Sequence, residues 1–119
     1  MNTVKSDPTI SVNIVVARRE RDARPHYIEQ TSGEGAPRRF VLTGQETVIG
    51  RGEEAGISIS SPKASRQHAI LSRHGLDDII RDNESRNGIF LNGVKVHAAV
   101  LREGDVVQIA DCVFVFREG

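Results

Sequence analysis

The sequence predicts an all-β fold, a sandwich or a barrel of short strands. Three observations predict it. Apolar residues alternate with polar ones at period two in several short runs, the pattern of a half-buried strand. Turn signals built on Gly, Asn and Ser recur about every ten residues, the spacing of sandwiches and barrels. Hydrophobic residues make up 38% of the 119, yet aromatics are only 4% and Trp is absent, so the core must be aliphatic, chiefly Val, Ile and Leu. That length suits one domain with a core of its own.

Taken in order, residues 1–25 stand apart from 26–119. The first nine are polar and include Pro8, as in a mobile tail. Ile10, Val12, Ile14 and Val16 then alternate with Ser11, Asn13 and Val15, which reads as an extra strand. The run 18–25 is charged and stops at Pro25; Glu20 and Asp22 weaken its field, so it reads as a solvated linker. From His26 the strands follow closely. Residues 26–31 and 37–43 flank a glycine-containing loop of hairpin length, and 46–50 forms a third strand. Ile57 to Ile59 is an apolar run of strand length. Residues 67–73 and 76–81 flank the tight turn His74-Gly75. Asn92-Gly93 is the strongest hairpin signal, because Asn-Gly accepts positive φ at both turn positions. Residues 106–109 and 113–116 close the chain.

Composition excludes several classes of function. Lys+Arg and Asp+Glu are both 16, for a formal net charge of +0, which argues against life on nucleic acid. Any anion site must be a local focus of charge. The single cysteine, Cys112, rules out an internal disulfide and a cysteine-rich zinc site, and its alternating surroundings make it a small buried residue. No His-Glu-x-x-His and no clustered acidic metal site occurs, so neither metal nor cofactor is expected. No apolar run approaches the roughly 20 residues of a membrane span, and the N-terminus lacks a signal-peptide core; cytoplasmic, with no membrane partner, is the default.

Three clusters punctuate the strands: Gly50-Arg51, Ser65-Arg66-Gln67-His68, and Ser85-Arg86-Asn87-Gly88, the last followed by Asn92-Gly93. They fall where strands turn, at loop positions that a rigid sheet can bring together. Two arginines and a hydroxyl converging from separate loops suit an oxyanion with several acceptor oxygens, since Arg offers five donors in an always-charged fork. In order and spacing these clusters resemble the forkhead-associated (FHA) domain: Gly-Arg, Ser-x-x-His, Ser-x-Asn-Gly and a second Asn-Gly. Residues 101–109 look like that family's closing Leu-x-x-Gly-Asp segment. The chain departs from the pattern at Ile89, where the family often has Thr, and in residues 57–62, which lack its usual Asp.

The resemblance selects a sandwich of two sheets with binding loops at one end, and implies recognition of phosphothreonine peptides downstream of a Ser/Thr kinase. It implies phosphate contacts from Arg51, Ser65 and the Arg66 amide. Asn87 would hold the peptide main chain, with Lys63 and Arg86 as further contacts. Gly50, His68, Gly88, Asn92 and Gly93 would shape the loops. Modules of this family sit beside other domains, so the chain is expected as the N-terminal sensor part of a larger signalling protein. The phosphothreonine partner comes in trans or from the chain's own tail, where Thr3 and Thr9 are the candidate phosphosites. Two rivals differ in class. A phosphate-independent interaction or oligomerisation domain would keep the fold without the ligand. A catalytic triad of Ser65, His68 and Asp82 is disfavoured: no nucleophile elbow surrounds Ser65, and an i,i+3 pair on one strand edge points to opposite faces.

Overall fold

Strands form where the alternation expects them, with shifts of one or two residues at their ends. The computed structural model describes residues 25–119; the tail, the strand expected at 10–16, Thr3 and Thr9 lie outside the described residues. In chain order the strands are β1 (Tyr27–Ser32), β2 (Arg38–Val41), β3 (Glu46–Gly50), β4 (Ile57–Ser58), β5 (Ala69–His74), β6 (Asp77–Asp82), β7 (Ile89–Leu91), β8 (Val94–Val96), β9 (Ala98–Val100), β10 (Val106–Ile109) and β11 (Cys112–Arg117). They build a six-stranded sheet of order β2-β1-β11-β10-β7-β8 and a five-stranded sheet of order β4-β3-β5-β6-β9. All pairings are antiparallel except β3 with β4.

The inner faces supply the aliphatic core. Ile28, Ile89, Val107, Ile109, Phe114 and Phe116 project from the larger sheet, and Ile49, Ile57, Ala69, Leu71 and Ile80 from the smaller; all are buried. Each large side chain withdrawn from water contributes about 1.5–3 kcal/mol before the entropy of ordering is subtracted. Cys112 belongs to this core, and burial pushes its thiol pKa up, as for an inert cysteine.

Two features differ from the sequence reading. The strand expected over 67–73 begins only at Ala69, because residues 65–68 are spent on loop contacts described below. Strand β9 had no signal in its own residues. It forms because the outer edge of β6 offers backbone groups that need partners, and Ala98, Ala99 and Val100 pair with Arg81, Ile80 and Ile79.

Asn92 and Gly93 make the expected turn between β7 and β8, with φ of 50° and 86°. The Asn92 side chain also reaches β10: its carbonyl accepts from the Val106 amide at 2.9 Å and its amide donates to Asp105 at 3.1 Å. Gly93 itself is spatially open, with no atom within 4 Å of where a Cβ would stand, so only backbone strain opposes a side chain there. Gly93→Val is expected to cost about 1–3 kcal/mol through that strain, lowering the melting temperature by roughly 4–20 °C. An unchanged melting curve would remove this role for the glycine.

The end of the sandwich at which the described chain begins is closed by a polar cluster. His26, before β1, pairs through Nδ1 with Asp78 Oδ2 of β6, and Arg73 Nε of β5 donates to Asp78 Oδ1 at 3.2 Å. The His26 ring packs edge-on against Phe116 at 5.6 Å. Both His26 and Asp78 are buried, so this cluster joins the two sheets from inside.

Candidate functional site

The opposite end gathers three loops: 51–56 between β3 and β4, 59–68 between β4 and β5, and 83–88 between β6 and β7. Strand register places them side by side. Ile49 pairs with Ala69, and Ala69 with Asp82, so β3, β5 and β6 meet their loops at one level. The ladder runs one step further, with the His68 amide on the Ile49 carbonyl at 2.8 Å and the Asn83 amide on the His68 carbonyl at 3.0 Å.

Arg51 emerges directly from β3. Its amide donates to the Ser65 carbonyl at 3.0 Å, and the Gly52 amide donates to the Arg66 carbonyl at 3.2 Å. Two backbones thus run in contact, which explains the glycine at position 50: a Cβ there would lie 2.0 Å from the Arg66 carbonyl oxygen. The Arg51 side chain is anchored by Nε, which donates to the Ala64 carbonyl at 3.0 Å. That bond uses one of the five guanidinium donors and leaves the terminal nitrogens for a ligand.

His68 holds the neighbouring loops together. It is fully buried; its Nδ1 accepts from the Ser65 amide at 3.0 Å, so Nε2 carries the proton and donates to the Gly88 carbonyl at 2.7 Å. Ser65 Oγ accepts from the Arg86 amide at 3.0 Å, with its own proton available to donate. Asn87 Nδ2 donates to the Lys63 carbonyl at 2.8 Å, which sets the side chain across the 59–68 loop. The Lys63 ammonium itself stands 3.6 Å from Asp111, towards the turn between β10 and β11. The Arg86 guanidinium is exposed and makes no bond among the described residues. Gly88 adopts a φ of +81°.

The expectation that Ser65 and His68 share a strand edge and point apart is corrected. Both precede β5, and the imidazole folds back onto the Ser65 backbone amide, not its hydroxyl. With both ring nitrogens on backbone groups, His68 has no base position facing the Ser65 hydroxyl. Asp82 is committed elsewhere too, because its carboxylate accepts from the Ser85 hydroxyl, while Ser85 Oγ accepts from the Gly88 amide at 2.8 Å. A charge relay has no path here.

The staple of Asp82, Ser85 and Gly88 was missed as a distinct element of the site. Its signal was present, since a short polar side chain bonding backbone three residues on is a common way to build a turn. Also unforeseen were Glu53 and Glu54. They line a surface groove with Arg51, Gly52, Ala55, Arg66 and Gln67. Among the described residues no group of His, Cys, Asp and Glu is arranged to hold a metal ion. Arg51, Ser65 and Arg66 carry hydrogen-bond donors on adjacent loops, and donors are the chemical complement of an anion.

Comparison with known proteins agrees with this geometry. The FHA domain family model matches residues 47–110, more than half of the chain. The chain is 46% identical over 71 residues to the ABC transporter ATP-binding/permease protein Rv1747 of Mycobacterium tuberculosis, covering 60% of this chain and 8% of that protein. It is 33% identical over 87 residues to the oxoglutarate dehydrogenase inhibitor of Corynebacterium jeikeium, covering 73% and 60% respectively. Among solved structures it resembles Mycobacterium tuberculosis EmbR in complex with a low-affinity phosphopeptide, at a TM-score of 0.78 and 26% identity, over 97% of this chain and 31% of that one. It therefore spans less than two thirds of each of these proteins. A two-sheet β-sandwich, the Gly-Arg, Ser-x-x-His and Ser-x-Asn-Gly loops gathered at one end, and the family match lead to one conclusion: the chain belongs to the forkhead-associated (FHA) domain family.

Proposed function

We propose that this FHA domain binds phosphothreonine in a protein partner, as the reading element of Ser/Thr-kinase signalling. The observation that carries the reading is the convergence of donors from adjacent loops: the terminal nitrogens of Arg51, the Ser65 hydroxyl and the Arg66 amide, which makes no hydrogen bond among the described residues. A phosphate carries about −1.5 to −2 charges at pH 7 and three strong acceptor oxygens, so it matches this set. Arg51 gives charge-assisted bonds to the phosphate, and Asn87 engages the peptide main chain beside it. Lys63 and Arg86 add positive potential. The phosphopeptide bound to EmbR supports the same class of ligand. The domain works by binding, without catalysis or a cofactor, as the cytoplasmic recognition part of a larger signalling protein.

The test is a titration with matched phosphothreonine, phosphoserine and unmodified peptides. Phosphothreonine peptides alone are expected to bind well. Equal affinity for the unmodified peptide would overturn the proposal in favour of a phosphate-independent interaction domain.

The chain's own tail is a second source of ligand. Position 25 lies at the end opposite the binding loops, so a phosphorylated Thr9 must travel the length of the sandwich, about 20 Å for a six-residue strand. Sixteen extended residues reach roughly 50 Å, and tethering raises the local concentration towards the millimolar range. Protein phosphorylated at Thr9 is expected to bind an outside phosphopeptide more weakly than Thr9→Ala protein does. Equal affinities would exclude self-binding through Thr9.

A further inference from the structure

The groove beside the proposed phosphate donors is lined by residues of both signs of charge. Arg51 and Arg66 line it together with Glu53 and Glu54. Such neighbours would ordinarily neutralise one another, but among the described residues no ion pair joins either arginine to either glutamate. Local structure explains the separation. The Ala55 amide closes a turn onto the Gly52 carbonyl at 3.1 Å, which places Glu53 and Glu54 at the corner of the turn, both exposed. The Arg51 side chain is meanwhile tied to the next loop through the Ala64 carbonyl.

Two uncompensated carboxylates beside a phosphate site oppose the phosphate and any acidic residue that accompanies it. A cation on the ligand relieves both effects, since it pairs with the carboxylates while the phosphate pairs with the arginines. We infer that the domain selects partners bearing a Lys or Arg within about three residues of the phosphothreonine, a distance of roughly 10 Å along an extended peptide. Glu53 and Glu54 are the specificity-determining residues. This inference rests on the phosphothreonine reading above and adds the class of peptide.

Exposed ion pairs are individually weak, so the effect is a preference and not a gate. A phosphothreonine peptide with lysine near the phosphate is expected to bind about two- to tenfold more tightly than its alanine counterpart at low salt. An aspartate counterpart should bind more weakly than either. The basic preference should shrink at about 0.5 M salt, where exposed charges are screened.

The experiment titrates the full chain with these three peptides, the lysine being placed before the phosphothreonine in one set and after it in another. It is repeated with the double variant Glu53→Gln, Glu54→Gln and with Glu84→Gln, an exposed glutamate of the 83–88 loop that does not line the groove. The lysine-to-alanine affinity ratio is the readout, because removing acid anywhere near the site strengthens anion binding in general. The ratio is expected to fall to about one in the double variant and to persist in Glu84→Gln. A ratio near one in the wild type for both placements, or one unchanged in the double variant, would overturn the inference. Its loss in Glu84→Gln would overturn the assignment to this groove. Binding of no phosphopeptide at all would instead overturn the phosphothreonine reading, and this inference with it.

Discussion

Arg51→Ala is expected to weaken phosphothreonine-peptide binding by about tenfold or more while the domain stays folded. A hydrogen bond to a charged group contributes about 1.5–3 kcal/mol, and about 1.4 kcal/mol is a decade of affinity. Under the proposed function the guanidinium would supply at least one such bond, and a bidentate contact would exceed that range. Its cost to the fold is smaller. The only structural bond of the Arg51 side chain among the described residues is Nε to the Ala64 carbonyl. A neutral-acceptor bond of this kind contributes about 0.5–1.5 kcal/mol, or a melting shift of roughly 2–12 °C. Calorimetric titration together with a thermal melt separates the two effects. Full-strength binding by the folded variant would place the phosphate elsewhere. Arg51→Lys should recover only part of the loss, since an ammonium cannot reproduce the planar fork.

Gly50→Ala is expected to be the most damaging of these substitutions to the fold. The added Cβ would lie 2.0 Å from the Arg66 carbonyl oxygen, 2.6 Å from its carbon and 2.9 Å from the Ser65 carbonyl oxygen. These are backbone atoms, so no side-chain rotation relieves the clash. The loops must part, and the amide bonds from Arg51 to Ser65 and from Gly52 to Arg66 part with them. Overpacking of this kind costs about 1–3 kcal/mol, and each lost hydrogen bond adds about 1 kcal/mol. A total of roughly 3–5 kcal/mol lowers the melting temperature by about 12 °C or more and abolishes phosphopeptide binding. Gly52→Ala is the control, because its Cβ would sit 3.5 Å from the same oxygen, at ordinary contact. Gly52→Ala should melt close to wild type. Equal melting of Gly50→Ala and wild type would mean that the two loops do not touch as described.

The role of Gly50 shows where a sequence reading stops. The glycine was identifiable as a shape residue, but two reasons for it were open, positive φ or close approach. Gly88 and Gly93 take positive φ, whereas at Gly50 it is the neighbouring backbone that excludes a side chain. Ser85 is similar. Its place in the motif was legible, but its bonds to Asp82 and the Gly88 amide emerged only with the loop's path. Glu53 and Glu54 carry no motif of their own, and only the fold brings Arg66, from another loop, to line the same groove.

By itself the sequence determined the strands with alternating apolar residues, the Asn92-Gly93 turn, the aliphatic core and the order of the family's loop motifs. Each of these is encoded within a few consecutive residues, through side-chain period or local φ preference. Tertiary structure alone decided strand β9, which exists because β6 needs a partner, and the union of His26 with Asp78, 52 residues apart. It also decided that His68 spans two loops, from the Ser65 amide to the Gly88 carbonyl. The physical reason is the same throughout: a buried polar group must find a partner, and the partner is chosen by which backbone groups the folded sheets bring within reach, not by its neighbours in sequence.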